Sequence, residues 1–157
     1  KIDYKNKKIK VWKIPVCYDL EFAPDIKAIS DLNNISIEDV IEIHSSKTYD
    51  ILSMGFLPGF MYLGKTDIKI HCDRKVKPSL KIKKGSIGLA LNQTCIYPSE
   101  SPGGWNIIGI TPIELFNLQS DSPCFSKPGD KVQFVKISKP QYISSLQNPN
   151  KPDFIEL

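Results

Sequence analysis

Apolar residues follow two different periods along the chain. Between positions 24 and 32 they fall at Ile26, Ile29 and Leu32, with Ala28 beside them. That is one face of a short helix, and Pro24 suits its first turn. Asn33 and Asn34 stop it. Ser36 opens a second helix: Asp39 follows three residues later as in a capping box, and Ile37, Val40, Ile41 and His44 share a face. From Tyr49 onward the pattern becomes that of short strands. Residues 15–20, 49–54 and 105–110 each read as one strand, 86–97 as one or two, and the alternating segment 131–137 as the strand that ends the core. Residues 55–64 read as a loop. Thr111, Pro112 and Glu114 suggest one capped helical turn, and Lys127-Pro128-Gly129-Asp130 a type II turn. Many short strands, turn glycines and two helices near the N-terminus predict a mainly β protein. Its expected core is a closed barrel or sandwich.

The 157 residues suit one domain. Residues 1–13 read as a linker from a domain missing upstream, or as a strand whose partners lie elsewhere, 14–138 as the folded domain, and 139–157 as a polar, proline-punctuated C-terminal tail. No apolar run approaches the roughly 18 residues a membrane helix needs, and no signal-peptide pattern opens the chain. A cytoplasmic protein with no membrane partner is expected.

Charge refines this picture. The formal net charge is +4, but residues 1–13 carry +5, residues 69–84 carry +6, and the remainder −7. Arg74 is the only arginine. Lysine without arginine favours solubility over bidentate phosphate recognition, so nucleic acid is not an expected partner. The basic run 69–84 reads as a solvated edge that discourages strand pairing, or as an attractor of anions. Cys17, Cys72, Cys95 and Cys124 have no CxxC spacing and make no zinc pattern with His44 and His71, so no metal site is expected. Free, partly buried thiols fit a reducing compartment.

Two segments concentrate chemistry. Residues 55–64 combine three glycines and Pro58 with Phe56, Phe60 and Tyr62, which reads as a pocket lip or a plug at a barrel end. Residues 93–105 bring Gln93, Thr94, Tyr97, Ser99, Glu100 and Ser101 up to the turn Pro102-Gly103-Gly104-Trp105. Consecutive amides in such a turn can cradle an anion or a developing oxyanion. No lysine follows the glycines as in a phosphate loop, and no serine has a nucleophile-elbow context. His44 is read as a satisfied core histidine, or as a proton relay if it faces the glycine-rich loops.

These strings also carry a family resemblance. They include Ile14-Pro15-Val16-Cys17-Tyr18-Asp19, residues 44–49, and Gly55-Phe56-Leu57-Pro58-Gly59-Phe60-Met61-Tyr62-Leu63. Gly85-Ser86-Ile87-Gly88, Gln93 with Tyr97-Pro98, Ser101-Pro102-Gly103-Gly104-Trp105 and the 127–130 turn follow in the same order. Over residues 14–137 the chain resembles the C-terminal domain of the bacterial 5-oxoprolinase B subunit, in the family that includes allophanate hydrolase subunit 1 and the sporulation kinase inhibitor KipI. The resemblance implies a cyclophilin-like β-barrel. It implies a non-autonomous subunit acting with a homologous second subunit of the C type and a third subunit. Such a complex uses ATP, with magnesium, and water to open 5-oxo-L-proline to L-glutamate. The alternative it implies is an inhibitor module that binds a sensor histidine kinase. It assigns His44, Gln93 and Tyr97 as catalytic candidates. Phe56, Pro58, Gly59, Tyr62, Ser101, Gly103, Gly104 and Trp105 are its substrate-binding candidates, and none of these residues is assigned as the nucleophile. Two positions depart from the family pattern: Ser79 and Ile110 stand where basic residues are usual, with Lys81, Lys83 and Lys84 nearby.

Overall fold

The computed structural model describes residues 8–148 and 151–157. Strand β1 (Lys10–Cys17) leads to helices α1 (Ile26–Asn33) and α2 (Ile37–Ser45). Strands β2 (Thr48–Met54), β3 (Met61–Gly64), β4 (Ser79–Ile82), β5 (Ser86–Ala90), β6 (Gln93–Ile96), β7 (Ser101–Gly103), β8 (Asn106–Ile110) and β9 (Lys131–Ile137) follow. Helix α3 (Lys139–Gln147) and strand β10 (Phe154–Glu156) end the chain. A 3₁₀ turn, Ile68–Ile70, lies between β3 and β4.

Seven strands form a closed mixed barrel in the order β1-β8-β5-β6-β3-β2-β9, with β9 returning to β1. Every pairing in it is antiparallel except β1 with β9, which runs parallel from Val11 opposite Lys131 to Cys17 opposite Ile137. Strand β10 pairs with the start of β1, on the side that β8 occupies near Cys17. Strands β4 and β7 form a separate two-stranded ribbon.

Strand alternation sorts the side chains onto two faces. Ile14, Val16, Tyr49, Ile51, Met61, Leu63, Ile87, Leu89, Ile96, Val132 and Phe134 fill the interior, and Ile26, Ile29, Val40 and Ile41 from the helices join the same cluster. Outward neighbours on β3, β5, β6 and β8 build a second cluster: Phe60, Ala90, Cys95, Tyr97, Trp105 and Ile107, joined by Ile82 from the ribbon. This outer cluster positions the candidate site.

Local chemistry accounts for the helix starts. The Ser36 hydroxyl accepts from the Asp39 amide at 3.0 Å, and the Asp39 carboxylate accepts from the Ser36 amide at 3.0 Å. The capping box expected for α2 is therefore present. A second box, Ser138 with Gln141, starts α3.

Several expectations are corrected. Residues 10–13 belong to β1, the strand alternative for that segment rather than the linker, while its residues 1–7 lie outside the described residues. The loop expected over 55–64 ends at Phe60, and β3 begins at Met61. No helical turn forms at Thr111–Glu114. The Thr111 amide donates instead to the Gly85 carbonyl at 2.9 Å, and the Thr111 hydroxyl accepts from the Ile113 amide, which holds the segment extended. Residues 139–157, expected as a tail, hold α3 and β10. Tyr142 of α3 is buried against Cys17 and Ile110. The two helices expected near the N-terminus are α1 and α2; among the described residues α3 adds a third α-helix. Among the described residues, no helix is long and apolar enough to cross a membrane.

Candidate functional site

The site starts with a tight loop. The Phe60 amide donates to the Leu57 carbonyl at 3.0 Å, and the Gly55 amide to the Phe60 carbonyl at 3.2 Å. Gly59 has φ +85°, and a Cβ there would sit 2.9 Å from that of Phe116, so only glycine suits this path. Phe56 also adopts a positive φ, 72°, and is left 66% exposed at the lip. Backbone strain of this kind in a large side chain is uncommon and gathers at functional loops.

Phe60 is the hub beneath that lip. Its ring centroid lies 5.5 Å from Phe56, 4.7 Å from Tyr62, 5.0 Å from Tyr97 and 6.3 Å from Trp105. Above this floor lies a groove of about 350 Å³. Phe56, Tyr62, Tyr97 and Trp105 line it together with the Pro102–Gly104 turn, Arg74 and Pro78. Burial pushes the Tyr97 phenol well above its ordinary value, so it stays protonated and neutral at any working pH. The guanidinium carbon of Arg74 lies 5.5 Å from the Trp105 ring centroid.

Gly103 is what leaves space for Tyr97. A Cβ at Gly103 would fall 2.2 Å from the Tyr97 hydroxyl oxygen and 2.9 Å from the Ile82 side chain. Gly103→Ala must therefore push the phenol into the groove, at a cost of about 1–3 kcal/mol. The expected result is a lower melting temperature together with a changed Trp105 fluorescence. An unchanged melting temperature would contradict this packing.

The structure gathers some candidates and separates others. Phe56, Tyr62, Tyr97, Gly103, Gly104 and Trp105 line one concavity. Pro58 is exposed, Gly59 is buried under Phe116, and the Ser101 hydroxyl donates to the Pro102 carbonyl at 3.0 Å. Gln93 shares the outward face of β6, but it stands four residues from Tyr97, about 13 Å along the strand, and is not part of the groove wall.

His44 is not in the groove. It is fully buried in the barrel interior, stacked on Phe134 at 4.4 Å. Its Nε2 lies 2.9 Å from the Thr94 hydroxyl, which itself donates to the Gly88 carbonyl at 3.0 Å. The Thr94 oxygen therefore accepts from Nε2–H, and Nδ1 accepts from the Tyr18 hydroxyl at 2.7 Å. Both ring nitrogens are satisfied, and burial lowers the imidazole pKa to about 3.

Sequence reasoning missed Arg74, which stood inside a run of lysines. The available signal was its being the only arginine in the chain. Ser79 and Ile110, the two departures from the family pattern, line a second groove of about 140 Å³ with Lys75, Lys81 and Lys83. Lys75 is paired there with Asp25 at 2.8 Å, and Lys81 with Glu100 at 3.4 Å. All four cysteines are free thiols, three of them buried. Among the described residues, no cluster of histidine, cysteine or carboxylate side chains is able to hold a metal ion.

Comparison with known proteins gives this chain a family. Residues 2–126 match the family described as carboxyltransferase domain, subdomain C and D. The chain is 41% identical over 141 residues to the 5-oxoprolinase B subunit of Bacillus subtilis, covering 90% of this chain and 59% of that protein. It is 40% identical over 123 residues to the 5-oxoprolinase B subunit of Escherichia coli O157:H7, covering 78% and 56%. The crystal structure of a conserved uncharacterized protein from Pyrococcus horikoshii superposes with a TM-score of 0.80 at 48% identity. That match covers 83% of this chain and 60% of that one. The chain thus spans a little over half the length of the curated relatives it matches. By these matches the chain belongs to the family of carboxyltransferase domains, subdomains C and D, and is similar within it to the 5-oxoprolinase B subunits.

Proposed function

We propose that this chain is the cyclophilin-like barrel of a 5-oxoprolinase B subunit. It acts in the cytoplasm, as part of a complex with a homologous C-type subunit and a third subunit, in the ATP-dependent opening of 5-oxo-L-proline to L-glutamate. The observation that carries this reading is the groove. Six residues named as candidates from the family resemblance, most of them within the two segments that also stand out by composition, converge on one concavity. Its volume suits a small molecule, and its walls are apolar with few polar groups, as ligand sites usually are. The free thiols support a reducing compartment.

The Gly103-Gly104 turn at the groove is followed by Trp105 rather than by a phosphate-binding lysine, so the groove is not a phosphate loop. We therefore assign nucleotide handling to another chain of the complex. The part left to this chain is to bind and orient the lactam against Tyr62, Tyr97 and Trp105. His44 and Gln93 take no catalytic step in this reading.

The test is ATP-dependent glutamate release from 5-oxoproline by the full-length protein co-expressed with its companion subunits. Release well above that of either companion alone is expected, and the domain alone is expected to be inert. Release at background level would overturn the proposal. A second reading, inhibition of a histidine kinase, draws support from Phe56, which is 66% exposed at the groove lip, because exposed aromatics often anchor protein interfaces. Slowed autophosphorylation of a kinase encoded beside the gene would favour it.

A further inference from the structure

We propose that Arg74 makes the aromatic groove a site for a small carboxylate. Its guanidinium holds the carboxylate at the mouth, and Trp105 and Tyr62 hold the flat body of the ligand. This inference rests on the reading that the groove takes a small molecule, and it names the group that the groove recognises.

Three observations point to Arg74. The first is that its charge is uncommitted and lines the groove; Lys69, Lys77 and Lys83 of the same run also lack an ion pair among the described residues, but none of them lines it. Lys75 is paired with Asp25, Lys81 with Glu100 and Lys84 with Glu114. Among the described residues Arg74 makes no ion pair or hydrogen bond, and its guanidinium lies over the face of Trp105 at 5.5 Å. The second is the lining, which contains no aspartate or glutamate to claim that charge. The third is the backbone beside it: the Lys75 amide donates to the Gly104 carbonyl at 2.8 Å. This tie pins the Arg74 backbone beside the glycine turn at the groove.

The chemistry selects the ligand. A guanidinium presents a planar fork that matches both oxygens of one carboxylate. Packing on an indole face orients that plane and removes water from one side of it. The groove brings one cation, which balances a singly charged carboxylate, and its walls offer flat apolar surface. Arg74 itself is exposed at the mouth, so the interaction is moderate in strength. Its main effect is to discriminate an acid from a neutral ligand of the same shape.

The experiment follows the indole N–H signal of Trp105 in protein carrying isotope-labelled tryptophan. Trp12, with its indole bound to Asp130 at 3.1 Å away from the groove, serves as an internal control. The probes are 5-oxoproline, its uncharged amide and inorganic phosphate. The acid is expected to shift Trp105 but not Trp12 and to bind about tenfold more tightly than the amide. Arg74→Gln is expected to abolish that difference without changing the melting temperature, and Arg74→Lys to keep part of it. Equal binding of acid and amide, an undiminished difference in Arg74→Gln, displacement of the acid by equimolar phosphate, or no shift at Trp105 would each overturn the proposal. If the proposal fails while the co-expressed complex still releases glutamate, Arg74 is discarded and the subunit reading stands. The reverse pair of results discards the subunit reading and keeps the carboxylate site.

Discussion

Acidification below about pH 6.5 is expected to cost this fold up to about 1.4 kcal/mol for each pH unit, through His44 alone. In the unfolded chain the imidazole has its ordinary value of 6.5, and in the folded chain burial lowers it to about 3. Between those values the unfolded state takes up a proton that the folded state refuses. The stabilising contribution is therefore complete above pH 6.5 and is lost progressively as the pH falls towards 3. The folded protein has no inexpensive way to accept the proton. Charged, His44 would donate from both nitrogens, so the Tyr18 hydroxyl would have to turn and accept inside a dry core, beside Phe134 and Tyr49. The check is chemical denaturation of the parent and of His44→Gln at pH 7.5 and 5.5. A glutamine side chain can accept from Tyr18 and donate to Thr94 but cannot titrate. The parent should lose distinctly more stability than the variant over this interval. Parallel losses in the two proteins would show that His44 is not held neutral by burial.

Gly85 should be the least replaceable glycine outside the groove. Its φ is +84°, and an added Cβ would lie 2.3 Å from the backbone carbonyl oxygen of Thr111, which has no flexible end to move aside. The same residue anchors three elements: its amide donates to the Tyr97 carbonyl at 2.8 Å, and its carbonyl accepts from the Thr111 amide at 2.9 Å. Gly85→Ala is expected to cost roughly 3 kcal/mol, from about 1–2 for the left-handed conformation and about 1–3 for the overlap. Gly129→Ala is the matched control. Its φ is +91°, but a Cβ there meets nothing within 4 Å, so only the conformational part, about 1 kcal/mol, applies. The difference between the two denaturation midpoints isolates the clash. Equal losses would mean that Thr111 moves aside freely and that the β5 junction is softer than it looks.

The strands and helices that could be read from the sequence are those with local causes. Ser36 and Asp39 announce α2 through a cap that needs no distant partner. The segment 131–137 alternates because β9 has one buried face, with Val132 and Phe134 inward. Strand β3 escaped notice because its four residues end in Gly64 and follow a glycine-proline loop, so no alternation has room to develop. Helix α3 escaped because its composition is polar, although Ser138 and Gln141 carry the same signature as Ser36 and Asp39. The parallel pairing of β1 with β9 left no local trace at all, being decided by the closure of the barrel. At the site, the aromatic loop and the Gly103-Gly104 turn stood out by composition. That Gln93 and His44 lie elsewhere depended on how strands and helix are placed in three dimensions. Arg74 was hidden for a different reason: a charge run is ordinarily read as a whole, and only geometry shows that its arginine, and none of its lysines, lines the groove.

The place of β9 between β1 and β2 has a consequence for how the protein is made. Val11 and Lys131, partners across the closing seam, are 120 residues apart in the chain. On a ribosome that has translated only as far as β8, both edges that β9 will cover are still bare. Local pieces such as the β5–β6 hairpin can form early, but the last seam must wait for the penultimate strand. A transcript cut short between β8 and β9 would release a chain with two sticky edges. Such products should accumulate as insoluble material, whereas truncations after Ile137 spare the barrel's closing strand.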